Sequence, residues 1–213
     1  MNPADAQDVP RAIEFLEAVE EIQRLPVHGC HPGELQETQL IGVVGDLFAA
    51  FLDAFIDPDL SLSQQLSSLS KFAHAAFALF RAHGVNFMPN QLYSDMQMTV
   101  KNAFFCVAKQ QNLNGSKPFY LFLLGDDRLE NLFGRVRMQG GHNPNCSLKQ
   151  LVDRLGAAMD LDAIFTRHPH LDSGSRRLKV TRTEHLDHLN PESWRGQAIA
   201  DSVSLEAAWR SGQ

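Results

Sequence analysis

The stretch Leu62–His83, LSQQLSSLSKFAHAAFALFRAH, decides the fold class of this chain. Its apolar side chains recur every three or four residues, which predicts an amphipathic helix. Ser61 or Ser63 can cap the start of this helix, and Gly84 is well placed to end it. We therefore expect a long core helix that buries its apolar stripe. The stripe consists of Leu66, Leu69, Phe72, Ala73, Ala76, Phe77 and Phe80.

The segments on either side carry similar patterns. Residues 34–56 have an apolar face that is too wide for a surface helix, and Asp57-Pro58-Asp59 ends it. Residues 89–112 begin with a proline, which suits the first position of a helix. A shorter acidic segment, about residues 9–25, has a partial stripe. Together these patterns predict four long helices packed as a bundle. The aromatic residues expected in its core are Phe48, Phe51, Phe72, Phe77 and Phe104.

Shorter elements are expected after the bundle. Phe119–Leu124 is an apolar run that could be a buried strand or the first turns of a helix, and it is too short for periodicity to decide. A short helix carrying Glu130 follows, and then a helix of about residues 147–165 that Ser147 can cap. The predicted fold is mainly α: a bundle of four long helices, two shorter helices and an irregular C-terminal tail.

This pattern predicts three regions. Residues 1–118 form the helical bundle, and residues 119–166 hold the two shorter helices, packed on the bundle. Residues 167–213 form the irregular tail, in which Trp194 and Trp209 each dock a turn onto the core.

Composition favours an intracellular protein. The chain has 213 residues, a net charge of −6 and three cysteines, a sparse odd set that fits a reducing compartment. Its first ten residues are polar and acidic, unlike a secretory signal. No apolar run approaches the roughly 20 residues of a membrane helix. We therefore expect a protein that is not secreted and has no membrane partner.

Residues 126–145 combine acids, cations and two sharp breaks. Asp127 and Glu130 are spaced as the two members of a capping box, and acids are favoured at the start of a helix. Arg135 and Arg137 lie near its end, where cations are favoured. Gly140-Gly141 stops the helix. Charged side chains at this density would also suit a phosphate-handling site. The residues by themselves favour the structural interpretation.

The same segment resembles a known family. DRLENLFGRVR, residues 127–137, followed by GGHNPN, residues 140–145, is similar to the late motif of P-element-type and hAT-like DNA transposases. That motif has an Asp, a Leu-Glu pair, a Phe, an Arg and a Gly-Gly-x-Asn turn. Residues 176–194 resemble uncharacterised proteins of mushroom-forming fungi. The resemblance implies a protein related to the C-terminal part of a DDE transposase, whose catalytic core is ribonuclease H-like.

The family's chemistry would fall on a few residues here. Glu130 corresponds to the last catalytic carboxylate, which with Asp127 or Asp126 would bind Mg²⁺ or Mn²⁺, and Arg135 and Arg137 would hold DNA phosphates. The family's two earlier Asp residues lie on strands, whereas Asp46, Asp53 and Asp95 lie on helical patterns. By the resemblance, residues 1–118 look like the helical insertion of such cores. It therefore implies a nuclear, transposon-derived protein without autonomous catalysis.

Charge indicates where DNA would bind. Residues 126–182 carry 10 Lys and Arg against 7 Asp and Glu, whereas residues 1–125 carry 7 against 13. A polyanion would therefore prefer the middle block. Within it, Arg176, Arg177 and Lys179 form a basic run that could contact a phosphate backbone or form a solvated surface.

Two other classes of function stay open. The acidic helical half fits a non-catalytic scaffold or protein-interaction module. Alternatively, a regulatory protein could bind zinc through His142 and Cys146 with Cys30 and His31, or through histidines of the tail. The tail histidines are His168, His170, His185 and His188.

Overall fold

The structure is a computed structural model that describes residues 9–22, 32–125, 127–141, 145–168, 171 and 191–213. These ranges contain helices and turns but no strand, so the prediction of a mainly α fold is confirmed. The α-helices in them are α1 Val9–Ile22, α2 Pro32–Ile56, α3 Leu62–His83, α4 Asn90–Asn114, α5 Asp127–Met138, α6 Leu148–Arg167 and α7 Leu205–Arg210.

The chain divides into two compact units. Met1–Leu124 and Lys179–Gln213 form the first, which we call the bundle unit. Gly125–Leu178 forms the second, which we call the motif unit and which contains α5 and α6. The packing of the two shorter helices on the bundle stays a prediction.

The central helix, α3, begins and ends where its sequence predicts. The Ser61 hydroxyl accepts a hydrogen bond from the Gln64 N–H at 3.3 Å, and the Gln64 side-chain oxygen accepts one from the Ser61 N–H at 2.9 Å. This reciprocal pair satisfies two amide groups that have no partner within the helix. Gly84 ends the helix with a φ of 56°, which glycine adopts without strain. Both boundary predictions for α3 are confirmed.

Helix α3 packs against α2, α4 and α7, and its apolar stripe forms the core of the bundle unit. Phe72 is fully buried, and its ring centroid lies 4.8 Å from that of Phe51 and 6.3 Å from that of Phe48 on α2. On the α4 side, Phe80 stacks on Tyr93 with centroids 4.0 Å apart. Phe48, Phe51 and Phe104 are only partly buried at the edge of this core.

The expectation that Phe77 is buried is wrong, because 54% of this residue is exposed. Helical spacing gives the direction in which a side chain points, but it does not show whether a neighbouring helix reaches that point. Trp209 covers His74, one turn earlier on α3, with ring centroids 4.6 Å apart. Phe77, one turn further along α3, lies on the exposed edge of the stripe.

Residues 191–213, which we call the C-terminal strap, are hydrogen-bonded along the bundle unit. At the α2–α3 turn, the Arg195 guanidinium binds the Asp59 carboxylate through contacts of 2.6 and 2.8 Å. Further along, the Leu62 N–H donates to the Gln197 carbonyl and the Phe119 N–H to the Ala198 carbonyl. These contacts join the start of α3 and the segment after α4 to one short stretch of chain.

The strap then crosses the end of α4 and the middle of α3. The Gln111 side-chain amide donates to the carbonyls of Ala200 and Val203, each at 2.8 Å, and the Ser70 hydroxyl donates to the Trp209 carbonyl at 2.6 Å. The predicted docking of the tail tryptophans is confirmed. Trp209 contacts His74 and Phe104, and Trp194 stacks on Phe122 with centroids 5.4 Å apart. Nothing in the sequence pattern predicts α7, because six residues make less than two turns.

One helix in the described part of the chain is long and apolar enough to cross a membrane. It is Gln36–Ile56 within α2, whose mean hydropathy is 1.7. This corrects the expectation that no segment approaches that length. Length and composition are the only criteria it meets: the helix packs against α1 and α3, and Leu47, Ala50 and Ala54 are buried in the core.

Candidate functional site on the motif helix

The candidate site lies in the motif unit, where α5 packs against α6. Helix α5 begins at Asp127, so Glu130 falls in its first turn. The side chains of residues 127–131, and residues 126 and 142–144 altogether, lie outside the described part of the chain. The capping and metal-binding interpretations of Asp127 and Glu130 therefore both stay predictions. The described side chains of the site are therefore those in the second half of α5 and those on α6 that they contact.

Arg135 of the motif contacts two side chains of α6. Its guanidinium forms an ion pair with Asp162 of α6 and lies 5.0 Å from the centroid of the Phe165 ring. Only 18% of the Arg135 side chain is exposed, against 69% for Asp162. A planar cation over an aromatic face adds electrostatic attraction to apolar burial. Arg135 thus joins α5 to α6. To bind the Arg135 guanidinium as predicted, a DNA phosphate would have to compete with Asp162 and Phe165.

The two motif glycines, Gly140 and Gly141, lie in different surroundings. Gly141 has a φ of +60°, a conformation that other residues adopt with strain. At Gly140, a Cβ atom would lie 2.5 Å from a guanidinium nitrogen of Arg154 on α6. Gly141 therefore turns the chain after α5, and a side chain at position 140 would displace the flexible Arg154 guanidinium. The start of α6 matches its prediction, since Ser147 and Gln150 form a reciprocal cap with bonds of 2.9 and 3.3 Å.

The other predicted DNA contacts are Arg137 and the basic run of residues 176–179. Arg137 is exposed near the end of α5, where a phosphate could reach it. Arg176, Arg177 and Lys179 lie outside the described residues, so their role stays a prediction.

The comparisons with known proteins add no family to this geometry. No family model, curated protein or solved structure matches this chain. The resemblance to DDE transposases is therefore carried by the motif residues alone.

Metal binding also stays a prediction. Within the described ranges, no three His, Cys, Asp or Glu side chains cluster as metal ligands would. Most of the predicted zinc ligands fall outside those ranges: Cys30, His31, His142, His170, His185 and His188. Cys146 and His168 are described, and both are exposed.

Sequence reasoning missed the α5–α6 contacts at this site. Arg135 and Asp162 are 27 residues apart, and no local pattern joins them. The sequence places Arg135 near the end of one helix and Asp162 on the next, which is compatible with their ion pair. The same residues would also be compatible with two solvated side chains.

Proposed function

We propose that this chain is a transposon-derived, helical DNA-associated protein that has no catalysis of its own. The observation that carries the proposal is the helical placement of the acids that precede the motif. Asp46 and Asp53 lie on α2 and Asp95 lies on α4, where it accepts a hydrogen bond from Gln91 at 2.8 Å. In the family that the motif resembles, the carboxylates that would complete the metal site come from strands. Glu130 would then act without those partners.

DNA association rests on charge. The bundle unit is acidic up to residue 124, whereas residues 126–182 carry an excess of cations. Lysine and arginine side chains bind the phosphate backbone mainly by releasing its counterions. The proposed contact therefore involves the exposed Arg137 together with the basic run of residues 176–179.

Removing that run tests DNA association. Changing Arg176, Arg177 and Lys179 to Ala should weaken binding to duplex DNA and lower the slope of log K against log salt by up to about three units. The measurement is a fluorescence-anisotropy titration at several salt concentrations.

A matched control removes three cations elsewhere. Lys101, Lys109 and Lys117 are exposed in the bundle unit, and changing them to Ala should leave the slope unchanged. If both triple variants lower the slope equally, binding is non-specific and the basic run is not its site. If the unmodified chain binds no DNA, the proposed function is wrong.

Glu130→Gln tests for catalytic metal binding. Gln keeps the hydrogen-bonding reach of a capping residue and loses the charge that a metal ligand needs. We expect the change to lower the free energy of unfolding by less than about 1 kcal/mol, since the cap is retained. Mg²⁺ and Mn²⁺ titrations followed by calorimetry should be the same before and after the change. Tight metal binding that disappears in Glu130→Gln would indicate a working enzyme.

A second candidate function is a protein-interaction module. Apolar side chains are exposed on both helices of the motif unit, among them Phe133 on α5 and Met159 on α6. Exposed apolar residues that recur on one helix face are typical of binding surfaces. A protein-interaction module needs no contact with DNA, so a chain that binds no DNA in the titration would favour this function over the first.

A further inference from the structure

The end of α5 contacts Arg154 of α6 at two points. The Gln139 side-chain amide, oriented as its hydrogen-bond partners require, donates to the Arg154 carbonyl at 3.0 Å and accepts from the Ala158 N–H at 3.1 Å. The Arg154 guanidinium lies against Gly140, the next residue along the chain. Residues 139 and 140 therefore contact both the backbone and the side chain of one arginine.

The contact with Gly140 covers one face of the guanidinium. A Cβ at position 140 would lie 2.5 Å from one terminal nitrogen of Arg154, 2.7 Å from the other and 2.7 Å from the carbon between them. Because the carbon is as close as the nitrogens, this point lies above the guanidinium plane and not beyond its N–H groups. The N–H donors of a guanidinium lie in that plane. Gly140 therefore supports the group without occupying its donors.

The donors of Arg154 have no acceptor. The residue is half-buried, and within the described part of the chain its side chain forms no hydrogen bond or ion pair. None of the positions three or four residues away on α6 is an acid, so no ion pair forms along the helix. Arg135, in contrast, has both Asp162 and Phe165 as partners. A partly desolvated cation without an acceptor is unfavourable, and an anion at its N–H groups would remove that cost.

We propose that Arg154 binds a phosphate group of the DNA backbone, and that Gly140 positions its guanidinium for this contact. The inference rests on the proposed function, to which it adds a second described residue beside Arg137. A planar guanidinium can donate two parallel, charge-assisted hydrogen bonds to phosphate oxygens. Arg137 is exposed at the same end of α5, where its carbonyl accepts a hydrogen bond from the Gly140 N–H at 3.0 Å. Two cations at this end are thus available to DNA.

A purely structural role for Arg154 makes a different prediction. A cation near the C-terminal end of α5 is favoured by the helix dipole, and lysine would supply the same charge. Lysine has no planar group that could match two phosphate oxygens. Arg154→Lys should therefore leave the midpoint of thermal unfolding unchanged and still weaken DNA binding. If this variant binds DNA as tightly as the unmodified chain, the guanidinium does not have the proposed role.

Removing the cation tests the phosphate contact itself. Arg154→Gln should weaken binding to duplex DNA by about tenfold, since a charge-assisted hydrogen bond is lost. It should also lower the slope of log K against log salt by about one unit. Arg167→Gln is the matched control, because it removes an exposed cation from the end of the same helix and should change neither value. Fluorescence anisotropy measures both, and far-UV circular dichroism checks that the variants keep their helix content. Equal effects of the two variants would overturn the proposal.

Gly140→Ala tests the positioning of the guanidinium without changing any charge. Its methyl group would occupy the space of the guanidinium, so the variant should weaken DNA binding about as much as Arg154→Gln. The two changes combined should be no worse than either alone, because they remove the same contact. Gly134→Ala is the matched control, since a Cβ there would meet no atom within 4 Å. Additive effects of Gly140→Ala and Arg154→Gln would show that Gly140 does not act through Arg154.

A titration with inorganic phosphate tests the site in the absence of DNA. Sodium phosphate should shift the Arg154 Nε–H resonance in a ¹⁵N NMR spectrum of the full chain and reach saturation, whereas sodium chloride at equal ionic strength should not. The Arg154→Lys spectrum lacks this resonance and so assigns it. Saturable binding of phosphate by a chain that binds no DNA would keep the phosphate site and contradict the proposed function. DNA binding that Arg154→Gln leaves unchanged, or an Arg154 resonance that phosphate does not shift, would overturn the inference.

Discussion

Deletion of residues 191–213 is expected to abolish cooperative unfolding of the bundle unit. The strap supplies buried side chains, Ala200, Val203 and Ala208, to a core otherwise made by α2, α3, α4 and Leu121. Its removal would also leave the carbonyl partners of Gln111 and Ser70 missing. The free energy of unfolding of a domain is only about 5–15 kcal/mol. Losing this set of core contacts and hydrogen bonds should remove most or all of it.

The measurement is a urea melt followed by circular dichroism. The full chain should show a sigmoidal transition for the bundle unit, and the shortened chain a gradual one. A synthetic peptide of residues 191–213 added in excess should restore the transition, since binding to the folded state alone stabilises it. A shortened chain that melts at the same urea concentration as the full chain would show that the strap is dispensable.

A single substitution tests the same contact more finely. At Gly196, a Cβ would lie 2.1 Å from the Leu60 carbonyl oxygen, which belongs to backbone and cannot rotate away. Gly196→Ala should therefore force the strap off the α2–α3 turn. Gly33→Ala is the matched control, because a Cβ there would meet no atom within 4 Å.

The second large effect is expected at Phe72. Phe72→Ala should lower the free energy of unfolding by about 3–5 kcal/mol, because it removes a fully buried ring that contacts both Phe48 and Phe51. Phe77→Ala is the matched control. It deletes the same ring five residues later on the same helix, at a position that is 54% exposed. We expect the control to lower the free energy of unfolding by under about 1 kcal/mol.

Both variants can be compared in one set of urea melts. The difference between them isolates burial from the helix propensity of the two residue types, since each exchanges Phe for Ala within α3. If the two substitutions cost the same, the core does not lie where the structure places it.

The sequence by itself determined the longer helices of this protein, α1 to α6, and many of their ends, but not the short helix α7. The ends of α3 could be predicted closely, because its periodicity, its two candidate caps, Ser61 and Ser63, and Gly84 all lie in one segment, and the structure shows that Ser61 is the cap. Ser147 identified the start of α6 for the same reason. Local patterns can carry this information because a helix makes its hydrogen bonds and its caps within a few residues.

The candidate site could be predicted only in part. The motif of residues 127–145 marked the segment and its Gly-Gly turn, and the structure gives Gly141 its positive φ and Gly140 its contact with Arg154. The partners of Arg135 could not be predicted. They lie on another helix, α6, and the positions of charged residues in the sequence are compatible with several different ion pairs.

Only the tertiary structure decided which apolar and polar side chains meet. Phe72 and Phe77 belong to one sequence stripe, yet only Phe72 has neighbouring helices over it. The strap is an irregular stretch by pattern, but it reaches Asp59 through Arg195, 136 residues away in the chain. Such contacts depend on the path of the whole chain, because closing a long loop costs entropy that only the assembled core repays. The sequence therefore determined the helices, and the packing of distant segments determined what each helix face does.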